Sequence, residues 1–254
     1  MSLFPRSVLP VLMYHRFGTP AGGDPNLWIP TERFASQLAW LGANGFRTLS
    51  LDEAYQALVQ RSIPRRSVLL TIDDGFAEDL ELVAEVLQRE GARAAVFVAA
   101  GLMGEQVEFR HPSGDKPKVS TGTIVDAAGL RRWTERGFDV GSHSLGHKDL
   151  TTCDSATLER ETVDSRQRLE RALDREILDF CYPFAHHDPA SRQAVAAAGY
   201  RAGYAGEPPV DDLFAIPRMM VYPGDSAARF QRKVSGYYFW ISALHQKLRR
   251  FVGN

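Results

Sequence analysis

Two adjacent carboxylates and a pair of histidines, far apart in the chain, are the side chains best suited to chemistry. Asp73 and Asp74 directly follow the apolar run Ser67–Ile72, and Gly75 comes next. Neighbouring side chains at a strand end point in different directions, so one carboxylate can bind a cation while the other accepts a proton. The same residues also suit a helix N-cap followed by a turn, which is the common use of an isolated Asp-Asp-Gly sequence.

The histidines belong to a second motif, HSLGH, in which His143 and His147 follow another short apolar run. If this segment forms one helical turn, the two imidazoles lie on the same side and can bind one metal ion. Two imidazoles and one carboxylate leave coordination positions open for water and substrate, as catalytic metal sites do. Solvated or hydrogen-bonded histidines show the same spacing, so this motif alone does not establish a metal site.

The composition is that of a globular enzyme and excludes several other classes of protein. The chain has 254 residues, 44% of them hydrophobic, with 30 basic and 31 acidic residues and a net charge of −1. This length suits one large α/β domain or two small ones. The near-zero net charge gives no support to general nucleic-acid binding. Two cysteines, Cys153 and Cys181, are too few for a disulfide scaffold or a four-thiolate metal site, and we expect free thiols.

Short apolar runs that alternate with amphipathic stretches predict the elements that position these residues. Strands are predicted at residues 8–14, 67–72, 94–98, 138–141, 177–181 and 200–204. Helices are predicted at residues 31–44, after a Ser50/Glu53 capping box, and at residues 78–90, 127–136, 155–174 and 188–198. Such alternation indicates a single α/β domain, either a barrel or an open sheet, whose polar strand ends face one cleft. The polar stretch 104–123 is predicted to be a surface loop over that cleft.

The order of these motifs, TIDDGF and later HSLGH, resembles the polysaccharide deacetylase (NodB-homology) family, carbohydrate esterase family four. The segments PVLMYHRFG, TERFASQLAWLGANGF, TLSLDEA, CYPFAHHD and AAGYRAGY are similar to the branch that deacetylates poly-N-acetylglucosamine and related glycans. The resemblance extends from about Val8 to Val221. It implies a single-domain distorted (β/α) barrel of the NodB-homology type, which we expect to occupy residues 1–225.

The resemblance implies a role for each residue of the two main motifs. Asp74, His143 and His147 are the implied ligands of a divalent metal ion, expected to be Zn²⁺. Such an ion would polarise an acetyl carbonyl and make water more acidic. Asp73 is the implied general base that takes the proton from the attacking water.

The CYPFAHH segment is implied to complete the substrate site. The backbone N–H of Tyr182 is the implied oxyanion donor, and Tyr182, Pro183, Phe184 and His186 are the expected substrate contacts. The first three of these residues also suit a rigid aromatic wall packed beside the sheet. His186 and His187 could contact sugar hydroxyls, or they could be solvated surface histidines.

Two departures from the common family pattern concern the general acid and the partner of the base. No histidine occurs in residues 214–221, where familiar members carry the acid. The branch resembled here instead implies His15, since a histidine can protonate a leaving amine near neutral pH, although a buried structural histidine is the alternative. Cys181 stands where many relatives carry an arginine that holds the catalytic aspartate. Arg218 is the candidate substitute, and a packing arginine is the alternative.

The C-terminal stretch differs in character from the rest of the chain. Residues 226–254 contain six Lys or Arg residues, no Asp or Glu, and apolar residues at helical spacing. This basic amphipathic helix could lie in a membrane interface, or it could pack on the barrel or on a second subunit. The N-terminal stretch lacks a signal-peptide pattern, so we expect a cytoplasmic protein, peripheral at the inner membrane face if the helix binds lipid.

These expectations combine into one functional hypothesis with three alternatives. The resemblance implies a metal-dependent hydrolase that removes N-acetyl groups from an amino sugar in a polysaccharide or lipid-linked glycan. The alternatives are an O-acetyl esterase, a hydrolase of another acyl amide, and a catalytically inactive glycan-binding relative. The expected partner is an acetylated glycan and not a nucleic acid, and the sequence leaves the oligomeric state open.

Overall fold

Strands and helices alternate along the part of the chain that the computed structural model describes, residues 9–20, 23–111, 118–206 and 212–235. The strands are β1 Val11–Tyr14, β2 Arg16–Phe17, β3 Trp28–Ile29, β4 Arg47–Thr48, β5 Ser67–Ile72, β6 Ala95–Val98, β7 Gln106–His111, β8 Lys118–Thr123, β9 Asp139–Ser142, β10 Asp179–Cys181, β11 Ala202–Ala205, β12 Ile216–Pro217 and β13 Met219–Met220. The helices are α1 Thr31–Ala43, α2 Leu51–Val59, α3 Ala77–Arg89, α4 Ala127–Glu135, α5 Ser155–Glu159, α6 Ser165–Leu173, α7 Pro189–Ala197 and α8 Ala227–Val234.

The main sheet is parallel and nearly closes into a barrel. Its strand order is β12-β11-β10-β9-β6-β5-β1-β13, and β4 pairs with β5 outside this path. The two edge strands are consecutive in sequence and are separated only by Arg218. Ile216 pairs with Tyr204 of β11, whereas Met219 pairs with Leu12 of β1, so one short segment joins both edges of the sheet. This closure confirms the predicted distorted (β/α) barrel.

The core lies inside the barrel and between the barrel and its helices. Every residue of β5 and β6 is buried, as expected for parallel strands that are covered on both faces. In α1, Phe34, Leu38 and Leu41 form the buried stripe that the sequence pattern predicts. Burial of these apolar surfaces holds the helices around the sheet and fixes the positions of the strand ends.

The predicted helix starts are confirmed where a polar side chain caps the first turn. Ser50 Oγ accepts a hydrogen bond from the N–H of Glu53 at 3.1 Å, and the Glu53 carboxylate accepts one from the N–H of Ser50 at 2.9 Å. Asp188 caps α7 in the same way, and Pro189 occupies the first helical position. These local signals fix where α2 and α7 begin.

Two stretches differ from the sequence prediction. The polar stretch 104–123 is not merely a surface loop, since β7 and β8 pair in it as an antiparallel hairpin. The predicted long helix at residues 155–174 is interrupted by a π-helical turn, Arg160–Asp164, between α5 and α6. The polar composition of residues 104–123 does not indicate a strand pair, and residue propensities do not indicate a π-helical turn.

Both cysteines, Cys153 and Cys181, are free thiols, as expected.

The C-terminal helix predicted at residues 226–254 is described only in part. The structure describes α8, in which Phe230 and Val234 are buried, and residues 236–254 lie outside the described residues. Within the described ranges, no helix has the length and hydropathy needed to cross a bilayer.

Replacing Ser50 with alanine should destabilise the fold by removing the capping box of α2. We expect Ser50→Ala to lower the free energy of unfolding by about 0.5–2 kcal/mol, measured from the denaturant midpoint at constant m-value. The matched control is Ser36→Ala, because Ser36 is an exposed serine inside α1. A cost as large for Ser36→Ala as for Ser50→Ala would contradict the assigned cap.

Candidate metal centre and active site

The carboxyl ends of the barrel strands bring together side chains from four parts of the chain. His15 follows β1, the pair Asp73 and Asp74 follows β5, His143 follows β9, and Arg218 lies between β12 and β13. Because the strands are parallel, these positions lie at one end of the barrel, where barrel enzymes place their active sites. The polar side chains at the strand ends therefore meet at one end of the barrel, as the sequence predicts.

Asp74, His143 and His147 form a buried cluster that could hold a metal ion. Nε2 of His147 lies 3.2 Å and Nε2 of His143 lies 3.6 Å from Oδ1 of Asp74, and the three ligand atoms lie within 4.8 Å of one another. Both carboxylate oxygens of Asp74 are buried and receive no well-aligned hydrogen bond. A buried carboxylate without such bonds is costly, so these residues fit a bound cation.

The protonation states in this cluster also suit metal binding. Burial opposes ionisation of Asp74, but the neighbouring imidazoles of His147, His15 and His143 hold the pKa of its carboxyl well below the ordinary value. Burial lowers the pKa of His143 to about 4, so its imidazole is neutral at pH 7. A neutral imidazole and an ionised carboxylate are the forms that bind a metal ion.

A backbone carbonyl orients the ring of His143. Its Nδ1 lies 2.8 Å from the carbonyl oxygen of Cys181. Since a carbonyl can only accept a hydrogen bond, Nδ1 carries the proton and donates it. Nε2 is then left with its lone pair on the side of Asp74, which is the orientation that a metal ligand requires.

The HSLGH segment is not a helical turn, and this corrects the expectation from its spacing. Ser144 and His147 have φ angles of 65° and 56°, so the chain reverses through left-handed positions. The N–H of His147 donates to Ser144 Oγ at 3.0 Å inside this reversal. His143 and His147 therefore meet at Asp74 through a tight loop, and helical periodicity plays no part.

Two aromatic rings contact the imidazole of His147. Phe109 stacks on it with 4.1 Å between ring centroids, and Phe184 approaches edge-on at 4.8 Å. Phe109 lies on β7, so the hairpin covers this side of the cluster. Sequence reasoning missed Phe109, because the polar residues around it favoured a loop.

A buried arginine next to His15 attaches the hairpin to the barrel. The guanidinium of Arg16 lies between the rings of Trp28 and Phe76, at 4.2 and 3.8 Å from their centroids. It donates hydrogen bonds to the carboxylate of Asp79 and to the carbonyl of Thr121 on β8. Sequence reasoning missed Arg16, although its place directly after His15 is a usable signal.

The second carboxylate, Asp73, has a different set of partners. Nη1 and Nη2 of Arg218 donate to its two oxygens at 2.6 and 2.8 Å, and Arg218 is 1% exposed. Burial alone would raise the pKa of Asp73, but the Arg218 guanidinium holds it below the ordinary value. Nε2 of His15 lies 3.9 Å from Oδ2 of Asp73. The Cys181 thiol is 3.7 Å from both oxygens, and burial raises the pKa of this thiol well above its usual range.

The polysaccharide deacetylase family profile matches residues 60–203 of this chain, which span β5 and the HSLGH motif. The chain belongs to the polysaccharide deacetylase family. The matched range covers more than half of the chain, and it contains both carboxylates and both histidines of the cluster.

Individual members of this deacetylase family resemble the chain over most of its length. YxkH of Bacillus subtilis is 25% identical over 227 residues, which cover 87% of this chain and 74% of that protein. The poly-beta-1,6-N-acetyl-D-glucosamine N-deacetylase of Staphylococcus aureus is 21% identical over 77% of this chain and 68% of its own. The Streptococcus pyogenes deacetylase PplD has the same fold, with a TM-score of 0.78, 21% identity and coverage of 89% of this chain and 97% of PplD.

The structure corrects the role expected for the backbone of Tyr182 in this family member. Its N–H donates to the carbonyl of Tyr204 at 3.0 Å as part of the pairing between β10 and β11. Its hydroxyl donates to the carbonyl of Phe214 at 2.8 Å, and its ring is buried. The N–H of Tyr182 is therefore used in strand pairing and is not free to serve as an oxyanion donor.

The remaining residues of the CYPFAHH segment lie at different depths. Pro183 is buried, and Phe184 contacts the ring of His147 from a left-handed backbone position with φ 58°. His186 is half exposed, and its Nδ1 lies 2.8 Å from Oδ2 of Asp149. Nδ1 of His187 lies 3.1 Å from Nη1 of Arg192. A direct substrate contact by His186 stays a prediction.

Loss of the two-point contact between Arg218 and Asp73 should shift the pH dependence of deacetylation. A lysine ammonium cannot span both carboxylate oxygens as a guanidinium does, so Arg218→Lys should raise the pKa of Asp73. If Asp73 acts as the ionised base, the acid limb of kcat/KM moves to higher pH. Loss of the fixed carboxylate plane should also lower the kcat/KM plateau by up to about 10². Initial-rate pH profiles measure this shift.

The matched control is Arg192→Lys, because Arg192 forms a partly exposed ion pair with Asp212 instead of a buried one. Its acid limb should coincide with that of the wild type. An unchanged acid limb in Arg218→Lys would show that Arg218 does not control the ionisation of Asp73.

Proposed function

We propose that this chain is a metal-dependent N-deacetylase that hydrolyses the acetamide of an N-acetylated amino sugar in a polysaccharide or lipid-linked glycan. The observation that carries the proposal is that the two adjacent carboxylates have different partners. Asp74 faces two imidazoles, whereas Asp73 is held by Arg218 beside His15. One set suits a cation, and the other suits the two proton transfers of amide hydrolysis.

The cation would be held by Asp74, His143 and His147. Its fit rests on the poorly hydrogen-bonded oxygens of Asp74 and on the Nε2 lone pair of His143, which the Cys181 carbonyl directs. A divalent ion at these side chains, expected to be Zn²⁺, supplies a Lewis acid that polarises an acyl carbonyl and makes water more acidic. Three protein ligands leave room for water and substrate.

Asp73 is suited to accept the proton of the attacking water. The guanidinium of Arg218 favours its ionised form and fixes the plane of its carboxylate through two hydrogen bonds. The buried Cys181 thiol, whose pKa burial raises, stays protonated and adds no competing charge. In the proposed reaction, a C–O bond forms between water and the acyl carbon while Asp73 takes the proton.

His15 is suited to protonate the leaving nitrogen. An amine leaves readily only with a proton, so breaking the C–N bond requires an acid close to the base. Nε2 of His15 lies 3.9 Å from Oδ2 of Asp73, so both groups border the same space. Products are then a free carboxylic acid and a free amine on the sugar. The name of the Staphylococcus aureus relative, a poly-N-acetylglucosamine N-deacetylase, supports an N-acetylated glycan as substrate.

Metal removal and base replacement should each abolish acetate release from N-acetylglucosamine oligomers. We expect chelator-treated protein to be inactive and added Zn²⁺ to restore activity.

We expect Asp73→Asn to keep its metal content while its rate falls by about 10²–10⁴. Released acetate and bound zinc are both measured. Turnover without metal would contradict the proposed chemistry, and no turnover on a broad panel of acetylated sugars would favour a glycan-binding protein.

Replacement of His15 should separate amide hydrolysis from ester hydrolysis. We expect His15→Ala to lower cleavage of N-acetylglucosamine oligomers by about 10²–10⁴, because the leaving amine loses its proton donor. Hydrolysis of 4-nitrophenyl acetate should fall much less, since nitrophenolate leaves without a proton. Undiminished amide cleavage by a His15→Ala protein with normal zinc content would exclude His15 as the acid.

A further inference from the structure

A carboxylate from a distant part of the sequence anchors the loop between the two histidines of the cluster. Oε2 of Glu161 accepts hydrogen bonds from the N–H of Gly146 at 2.7 Å and the N–H of Leu145 at 3.1 Å. The backbone carbonyl of Glu161 also accepts from the N–H of Leu145 at 3.1 Å. Glu161 is 3% exposed, so these are charge-assisted bonds inside the protein.

The loop needs such an anchor because its backbone is strained. Ser144 and His147 both occupy left-handed positions without being glycine, and such positions persist only when their surroundings hold them. The N–H groups of Ala100 and Gly101 hold the carbonyls of Ser144 and Leu145. Among the described contacts, Glu161 accepts from the two N–H groups in the middle of the loop, directly before His147.

Local geometry accounts for how Glu161 reaches this loop. It lies in the π-helical turn Arg160–Asp164, which adds a residue to one turn and so redirects the side chains on either side. A Cβ atom at position 146 would lie 3.2 Å from Oε1 of Glu161, so Gly146 leaves the space that the carboxylate occupies. Nζ of Lys148 lies 3.8 Å from the same oxygen.

We infer that Glu161 is a positioning residue of the metal centre. Its carboxylate binds the N–H groups of Leu145 and Gly146, and so holds the backbone that directs the His147 imidazole to Asp74. This inference rests on the proposed metal-dependent function. It assigns a role in metal affinity to a buried acid that lies outside the cluster and outside both sequence motifs.

The test compares Glu161→Ala with Glu161→Gln in the full chain. In metal-free protein, Glu161→Ala should expose the amide of Gly146 to faster hydrogen exchange, whereas the N–H of Leu145 keeps the backbone carbonyl of residue 161 as a partner. Its affinity for Zn²⁺, measured by competition with a chromophoric chelator, should fall by about 10–100-fold. Both N–H groups bind the same oxygen atom, so a glutamine carbonyl can replace it, and Glu161→Gln should recover most of the affinity and exchange protection.

Asp179→Asn is the matched control for a general loss of stability. Asp179 is a buried carboxylate at the start of β10, paired with Arg201 and not with the loop. Asp179→Asn should lower Tm but leave Zn²⁺ affinity and the amide hydrogen exchange of Leu145 and Gly146 unchanged. If Glu161→Ala does not fold, Gly146→Ala replaces it, because the added methyl group should displace the carboxylate and weaken Zn²⁺ binding.

Three results would overturn the inference. The first is wild-type Zn²⁺ affinity in Glu161→Ala, or in Gly146→Ala where that variant replaces it. The second is an equal loss of affinity in Asp179→Asn, and the third is a Glu161→Gln protein as impaired as Glu161→Ala. A wild-type protein that binds no divalent ion would instead contradict the proposed function. In that case, unchanged exchange at Gly146 in Glu161→Ala would still refute the anchor, and faster exchange there would support it.

Discussion

The buried negative charge of Asp74 is the constraint on which the rest of the site depends. A carboxylate removed from water is stable only when opposite charge or hydrogen bonds replace its hydration. Here its oxygens lack well-aligned hydrogen bonds, and two buried imidazoles lie beside it. Burial lowers the pKa of one of them, His143, to about 4, so that ring supplies no positive charge at pH 7. A bound cation would satisfy the carboxylate and both rings at once.

The same physical problem is solved differently for the adjacent Asp73. Arg218 neutralises it with two hydrogen bonds, and Arg218 is in place because the segment between β12 and β13 closes the barrel. Neighbouring carboxylates thus have separate partners, one suited to a metal ion and one suited to proton transfer. The segment that closes the barrel therefore also supplies the arginine that holds Asp73. A change that opened the barrel there would remove the partner of Asp73.

The sequence predicted what depends on local pattern. Apolar runs located six of the eight strands in the main path of the sheet, but not the short closing strands β12 and β13. Capping residues located the starts of α2 and α7, and motif order indicated the family to which the chain belongs. Placing both motifs at strand ends predicted that they face one cleft, whereas the ligand set Asp74, His143 and His147 was what the family resemblance implied. The roles assigned to individual residues of the site stay predictions.

Features that depend on contacts distant in sequence were not predictable. The hairpin of β7 and β8 contains few apolar residues, and its position depends on the buried Arg16. Hydrogen bonds from other parts of the chain hold the reversal at Ser144. The spacing of the two histidines gives no sign of these bonds and also suits a helical turn. Glu161 stands in a highly charged stretch that reads as a solvated helix face, and only its burial distinguishes it. The N–H of Tyr182 belongs to a strand pair whose register the motif does not specify.

The most direct test of the account is a crystal structure of the Zn²⁺-treated protein with anomalous data collected at the zinc edge. The account predicts one strong peak at about 2.0–2.2 Å from Nε2 of His143, Nε2 of His147 and a carboxylate oxygen of Asp74, with Asp73 still paired to Arg218. A protein crystallised with excess Zn²⁺ that shows no peak there, or whose zinc is bound by other residues, would contradict it.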